Sequence, residues 1–354
     1  MATLPRELYG QVAQFAQWTQ PPSLLALTQI CKAFQEPAER LLYHNMFLRD
    51  AHVTFNACLS LTTRNGERGP YVHKFWFYHR TNRISSFPEQ FWQTVKEALA
   101  VMVNLETLFL HDPALINTWV LNGPGIKLQL REASFALQWD KTMVDFLGTQ
   151  ERLISLHVED SVDEGPLVAL TPGKLQTLKI LSGPPLVVAE LLACPLIRLQ
   201  LEVENETAAI VPTVLLDVGR IMSDLQSLHI VYLPENMASE VYQIISSSVY
   251  APQLHFLGAL PYPVQNRHEV HHCLMKLYRL ELLELDVTAW LPQPHESYQR
   301  MLAAELRTFC PKINYVGFWI ANHHFCWFYQ DDEWTSTRAS GRTPAHETLW
   351  RNWR

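Results

Sequence analysis

The sequence predicts an α/β fold: a small N-terminal three-helix module, followed by an irregular α/β solenoid with parallel strands. Three observations predict it. First, one short apolar phrase recurs down the chain, with apolar residues at its second, fifth and seventh places. It reads NLETLFL at 104–110, RLISLHV at 152–158, KLQTLKI at 174–180, PLIRLQL at 195–201, DLQSLHI at 224–230, QLHFLGA at 253–259, RLELLEL at 279–285 and KINYVGF at 312–318. A repeated short strand has no partner for its apolar face within its own repeat, so it stacks on its neighbours. Second, helical stretches separate the phrases, and strand alternating with helix implies parallel strands joined by crossovers. Third, residues 1–50 carry helical periodicity only.

The elements follow in order. In LPRELYGQVAQF, Pro5 suits a first helical turn, where its missing N–H costs nothing, and Leu8, Val12 and Phe15 share one face. Gln20-Pro21-Pro22 breaks that helix, and Ser23 is placed to cap the next, which carries Leu24, Leu25, Leu27 and Ile30. A third helix starts near residue 33, with Phe34, Ala38, Leu41, Leu42 and Met46 on one side. From about residue 51 the pattern turns strand-like. YVHKFWFY at 71–78 reads as an early strand, and GIKLQLRE at 125–132 and ASFALQWD at 133–140 as two more. Helices are expected over 91–104, 141–152, 238–250 and 297–310. The aromatic run FCWFYQDDEW reads as a final hairpin or loop closing the array, because terminal repeats need a cap. The divisions are therefore 1–50, a helical module; 51–334, the repeat array; and 335–354, a polar tail with Arg338, Arg342, Arg351 and Arg354, expected to be loosely ordered.

Composition narrows the function. Of 354 residues, 48% are hydrophobic and 18% charged, which describes a packed chain rather than a disordered one. A net charge of −7 without a Lys/Arg-rich face argues against nucleic acid as a partner. No apolar run reaches the roughly 20 residues that span a bilayer, so no membrane partner is expected. MATLPRELYG lacks a signal-peptide pattern, which places the chain in the cytoplasm, the nucleus or both. The six cysteines, Cys31, Cys58, Cys194, Cys273, Cys310 and Cys326, are scattered without a CxxC pair and read as small hydrophobes.

Catalytic and metal motifs are weak. His268, Glu269, His271, His272 and Cys273 are dense, but His-Glu-Val-His-His is not the His-Glu-x-x-His spacing of a zinc protease. His323, His324 and Cys326 read as aromatic packing. No phosphate loop and no nucleophile elbow appear. Asp160, Asp163 and Glu164 read as a solvated loop. No catalytic residue, metal or cofactor is expected.

The N-terminal string resembles an F-box. That family opens with Leu-Pro-x-Glu-Leu, continues with a leucine-rich second helix, and follows with a Cys-Lys/Arg-x-aromatic segment. Here these are Leu4, Pro5, Glu7 and Leu8; Leu24, Leu25 and Leu27; and Cys31, Lys32 and Phe34, over roughly residues 3–48. Phe34 stands where many members have Trp. The remainder is similar to the leucine-rich-repeat F-box proteins numerous in fungi, above all FLGTQERLISLHV at 146–158 and CPKINYVGFW at 310–319. It lacks the regular Asn/Cys position, so it is leucine-rich-repeat-like. The resemblance implies a substrate receptor of an SCF ubiquitin ligase, itself non-catalytic. The F-box docks on the Skp adaptor and through it on the cullin and its RING subunit, and the repeat domain holds a protein substrate. Leu4, Pro5, Leu8, Leu24, Leu25, Leu27, Ile30, Cys31 and Phe34 are then adaptor-binding. The alternatives are an adaptor-bound scaffold without cullin, and a repeat-built ligand- or metal-binding protein.

The repeat phrase also assigns an open face. Side chains alternate across a strand. With the last two apolar positions inward, a central column runs Phe109, His157, Lys179, Gln200, His229, Gly258, Glu284, Gly317. The flanking columns include Arg198, Phe256, Leu260, Leu282, Tyr315 and Trp319. The late strands are more apolar than solvent favours, so Phe256, Leu260, Leu282, Glu284, Tyr315, Trp319 and His229 are the expected target contacts. The competing expectation is that insertions or the tail cover them.

Overall fold

The structure, a computed structural model, describes residues 5–19, 23–78, 86–159, 167–321, 323–338 and 349–352. The chain divides into two compact units, Met1–Leu175 and Gln176–Arg354. Leu4, the Gln20-Pro21-Pro22 break, the acidic loop at Asp160, Asp163 and Glu164, and tail residues Arg342 and Arg354 lie outside the described residues.

The first unit opens with the three expected helices, α1 (Arg6–Thr19), α2 (Ser23–Ile30) and α3 (Lys32–His44). The chain then passes directly into strand β1 (Asn45–Leu48), so Met46 belongs to a strand and not to the third helix. Helix α4 (Ala51–Thr62) follows, where strand periodicity was expected. The Asp50 side chain caps it by accepting the Val53 N–H at 2.9 Å. Strands β2 (Lys74–Phe77), β3 (Thr107–His111), β4 (Glu132–Ala136) and β5 (Ser155–Glu159) pair parallel in chain order. Helices α5 (Glu89–Val101) and α6 (Lys141–Leu147) lie on the connections. Phe75, Leu108, Ala133 and Leu156 stand opposite one another, all inside the core.

One strand, not two, occupies 125–140. The Gln150 side chain supplies the reason. Its Oε1 accepts the Leu130 N–H at 3.0 Å, and its Nε2 donates to the Leu128 carbonyl at 3.2 Å. A side-chain amide therefore satisfies backbone groups that a strand would give to a ladder.

The second unit repeats the plan. Strands β6 (Ile180–Gly183), β7 (Arg198–Glu202), β8 (Ser227–Val231), β9 (Phe256–Pro261), β10 (Leu282–Asp286) and β11 (Tyr315–Ile320) pair parallel in chain order. Helices α7 (Pro185–Glu190), α8 (Val211–Ile221), α9 (Ala238–Ser247), α10 (Arg267–Leu274) and α11 (Glu296–Phe309) connect them, each packed on the next. Leu181, Leu199, Leu228, Leu257, Leu283 and Val316 form a ladder without solvent exposure. Its first rung corrects one expectation. In the phrase at 174–180 the strand begins only at Ile180, because Leu175 takes a left-handed φ of 53°. Leu181, not Leu178, faces Leu199, and Ser182 replaces Lys179 in the column.

The array ends as the aromatic run implies. Strands β12 (His323–Gln330) and β13 (Glu333–Arg338) form an antiparallel hairpin on β11. It is fastened to α11: the Trp327 indole donates to Gln299 at 3.1 Å and the Ser336 hydroxyl to Glu296 at 2.8 Å. Among the described residues no helix is long and apolar enough to cross a membrane. A last short helix, α12 (Leu349–Asn352), completes the described chain.

Gln150→Ala leaves the Leu130 N–H and Leu128 carbonyl buried without that partner. Unfolding in urea is expected to show a loss of about 1–3 kcal/mol. An unchanged midpoint would mean that 125–131 draws nothing from this side chain.

Candidate functional site

The helical module has a small core. Ala13, Leu24 and Ala38 are buried, with Ala16, Leu27 and Leu41 packed around them. That core holds few side chains, so much of the module's apolar surface remains outside. Trp18 is 87% exposed, Phe15 70%, Ile30 64% and Leu25 57%. Leu8 and Val12 are also exposed, as are Pro5 and Cys31. Phe34 is half-buried, edge-on against Tyr9 at 4.7 Å. Of the residues expected to meet an adaptor, Pro5, Leu8, Leu25, Ile30 and Cys31 therefore reach the surface, Leu27 and Phe34 do so in part, and Leu24 fills the core. Trp18 joins this surface without having been expected there. The signal for it was the spacing: it extends the stripe Leu8, Val12, Phe15 by one more helical step. The module thus exposes more large apolar side chains than its small core covers.

The module is also tied to the strands that follow. Glu39 on α3 is nearly buried and accepts a 2.7 Å hydrogen bond from the Arg68 guanidinium. Burial pushes the Glu39 carboxyl up, but the Arg68 and Gln35 hydrogen bonds more than offset that and hold it below its ordinary value.

The second surface is the open face of the second unit. Its outer column, Ile180, Arg198, Ser227, Phe256, Leu282, Tyr315 and Phe328, follows from the strand registers. The next column runs Ser182, Gln200, His229, then Gly258, Glu284, Gly317 and Cys326. Six of the seven expected target contacts do lie on this face. Leu260 does not. A bulge at Gly258-Ala259, where Ala259 has φ 58°, inserts one extra residue and turns Leu260 opposite Leu285 in the core.

Nor is the face open to solvent. Phe256, Leu282, Tyr315, His229 and Glu284 are all buried, and Trp319 is half-buried. The tail covers them. Trp350 of α12 is only 3% exposed and packs with Phe256, Leu282, Tyr315 and Cys326, with Leu349 beside it. Of the tail, α12 is the described part that docks here. The Ser227 hydroxyl donates to the Trp350 carbonyl at 2.9 Å, and Arg198 donates to the Arg351 carbonyl.

Beneath Trp350 lies a buried polar cluster. Glu284, 1% exposed, accepts the Trp319 indole N–H at 3.1 Å and the Tyr315 hydroxyl at 3.3 Å. His229 and His324 bring a ring nitrogen to 3.7 and 3.6 Å from its oxygens, an electrostatic contact rather than a formed hydrogen bond. Burial raises the Glu284 pKa; the two histidines and Trp319 more than offset this, so the carboxyl sits below its ordinary value. Tyr315 shifts well upward, through burial and the adjacent carboxylate. His229 Nδ1 donates to Gln200 at 3.0 Å, and Gln200 donates to Glu202 at 2.9 Å. Its Nε2 is buried without a hydrogen-bond partner.

The glycines make this cluster fit. A Cβ on Gly258 would meet His229 and the Phe256 ring at 2.6 Å, and one on Gly317 would meet His324 at 2.5 Å. Large and absent side chains alternate across the strands, so His229, Glu284 and His324 lean over the gaps. Among the described residues no three His, Cys, Asp or Glu side chains are arranged to hold a metal ion. His271, in the dense histidine run, is instead packed inside, 2.6 Å from the Tyr262 hydroxyl and stacked on Phe309. No family model matches the chain, and no curated protein matches it.

Two outcomes follow. Gly258→Ala is expected to cost about 1–3 kcal/mol in thermal or urea unfolding, because two packed rings must move. An unchanged stability would refute that packing. Glu284, with a folded pKa below the unfolded 4.5, stabilises fully above that value, and its contribution disappears as pH falls through the lower folded one. Glu284→Gln is expected to be less stable at pH 7 by about 1–3 kcal/mol and to show a smaller loss of stability below pH 4.5. Parallel pH curves for the two proteins would contradict this.

Proposed function

We propose that this protein is the substrate-recognition subunit of an SCF-type cullin–RING ubiquitin ligase. The N-terminal helices dock the Skp adaptor, which brings the cullin and RING subunit, and the repeat domain presents a target protein. The receptor is non-catalytic and needs no cofactor; it contributes proximity rather than an acid, base or nucleophile. It works in the cytoplasm, the nucleus or both.

One observation carries the reading. The described part of the F-box-like string, from Pro5 to Phe34, lies along three helices and their starts, and their core is too small for their apolar residues. Leu25 and Ile30 stand free on the surface. A partner that covers them stabilises both sides. The stacked-strand array supports the second half, since such arrays present extended binding faces.

The full chain is expected to capture the Skp adaptor and, with it, the cullin. Leu25→Ala combined with Ile30→Ala removes two exposed side chains and leaves the fold intact. Its adaptor affinity is expected to fall roughly 30-fold or more, about 2 kcal/mol. Unchanged affinity, or no capture by folded wild type, would overturn the proposal; adaptor without cullin would make the chain a scaffold. Thiol labelling gives a second check. Cys31 is exposed, while Cys58, Cys194, Cys273, Cys310 and Cys326 are buried. Burial lifts the Cys58 and Cys310 thiols to about 12, which leaves them almost wholly protonated. Cys31 is therefore expected to label first, and bound adaptor to slow it. Labelling of Cys31 at the same rate in the complex would count against the docking face.

A further inference from the structure

We propose that the open face of the second unit is a peptide-binding groove, and that α12 is its resident occupant. The partner it takes is a protein segment of the same chemistry: an aliphatic residue, a tryptophan and an arginine ending a helical turn, as in Leu349-Trp350-Arg351. Naming that partner as the ligase target rests on the receptor reading; the groove itself does not.

Three features distinguish this seat from an ordinary core contact. The first is how the backbone of α12 is held. The last carbonyls of a helix lack intrahelical partners. Here the Trp350 and Arg351 carbonyls are met by side chains of the strands, Ser227 and Arg198. Donors aimed at a backbone accept any turn of this shape. The second is what Trp350 covers. The ladder on the helix side of the strands is apolar, whereas the floor here carries Glu284, His229 and His324. His229 Nε2 is buried without a hydrogen-bond partner, and its ring lies nearly parallel to Trp350, 17° apart at 6.3 Å. That nitrogen faces the Glu284 carboxylate at 3.7 Å, beyond hydrogen-bond reach, so the floor under Trp350 keeps an incompletely paired donor set. The third is size. Among the described residues the contact is one four-residue turn. So short a turn holds its place because its tether keeps its effective concentration high, on the order of millimolar, rather than through high intrinsic affinity. A partner segment with a few more contacts therefore displaces it.

The test uses the full chain and a labelled peptide of residues 345–354, AHETLWRNWR, beside the same peptide with Ala at the first Trp. In Trp350→Ala the groove is vacated, and the peptide is expected to bind at least ten-fold more tightly than to wild type. The Ala peptide is expected to bind neither. Wild type gives a second arm that needs no folded variant. Excess Trp peptide is expected to speed removal of Trp350 by a carboxypeptidase, and the Ala peptide is not. Absence of peptide binding by folded Trp350→Ala, or trimming unchanged by the peptide, would overturn the proposal and leave α12 a permanent cap. Adaptor capture is read in the same samples. Peptide binding without adaptor capture would sink the receptor reading alone; adaptor capture without peptide binding or displacement would sink the groove alone.

Discussion

No strand in this protein owns a core. Leu199 is buried only because Leu181 lies on one side and Leu228 on the other, and the same holds for Leu257 between Leu228 and Leu283. Each such leucine contributes about 1.5–3 kcal/mol when buried, and each contribution exists only while both neighbours are in register. This nearest-neighbour dependence dictates the connections. Each strand pairs with the one before it, and right-handed crossovers that always step the same way fall on one side, so the helices collect on the apolar face. It also dictates the end of the array, where the chain reverses and an antiparallel hairpin, held by Trp327 and Gln299, closes the ladder.

Keeping the helices on one side leaves the other face to carry something else. In the second unit it carries a polar column, most of whose buried polar atoms find partners within it, His229 Nε2 excepted. Glu284 gathers two indole and phenol donors and two imidazoles, while Gly258 and Gly317 give them space. The fold thus separates two jobs. The apolar face holds the chain together, and the opposite face carries the polar column and the turn of α12 that covers it.

Much of this was legible in the sequence, because a two-residue period is a physical requirement of strands buried on one side. The repeat phrase locates most of the strands, and the central column from Gln200 through Gly317 is assigned correctly by alternation alone. The failures are as physical as the successes. Leu175 adopts a left-handed backbone and delays β6, and nothing in KLQTLKI distinguishes it from its fellows. The extra residue at Ala259 reverses Leu260, since one inserted residue exchanges the two faces. Gln150 silences a strand-like run from twenty residues away. The cover over the open face was the hardest to see. It depends on one turn in a tail whose composition reads as solvated, and only three-dimensional proximity joins Trp350 to His229. For the helical module the difficulty is the reverse: the helices are plain, but sequence alone does not separate Leu24, which fills the core, from Leu25, which does not.

On the function proposed above, the exposed apolar side chains of the first three helices are an unfinished core that the Skp adaptor completes. Burial of apolar surface has a thermodynamic mark, a negative heat-capacity change. The most direct measurement is calorimetric titration of the full chain with purified Skp adaptor at several temperatures. The account predicts stoichiometric binding whose enthalpy becomes steadily more negative on warming. No binding, or binding with an enthalpy independent of temperature, would contradict it.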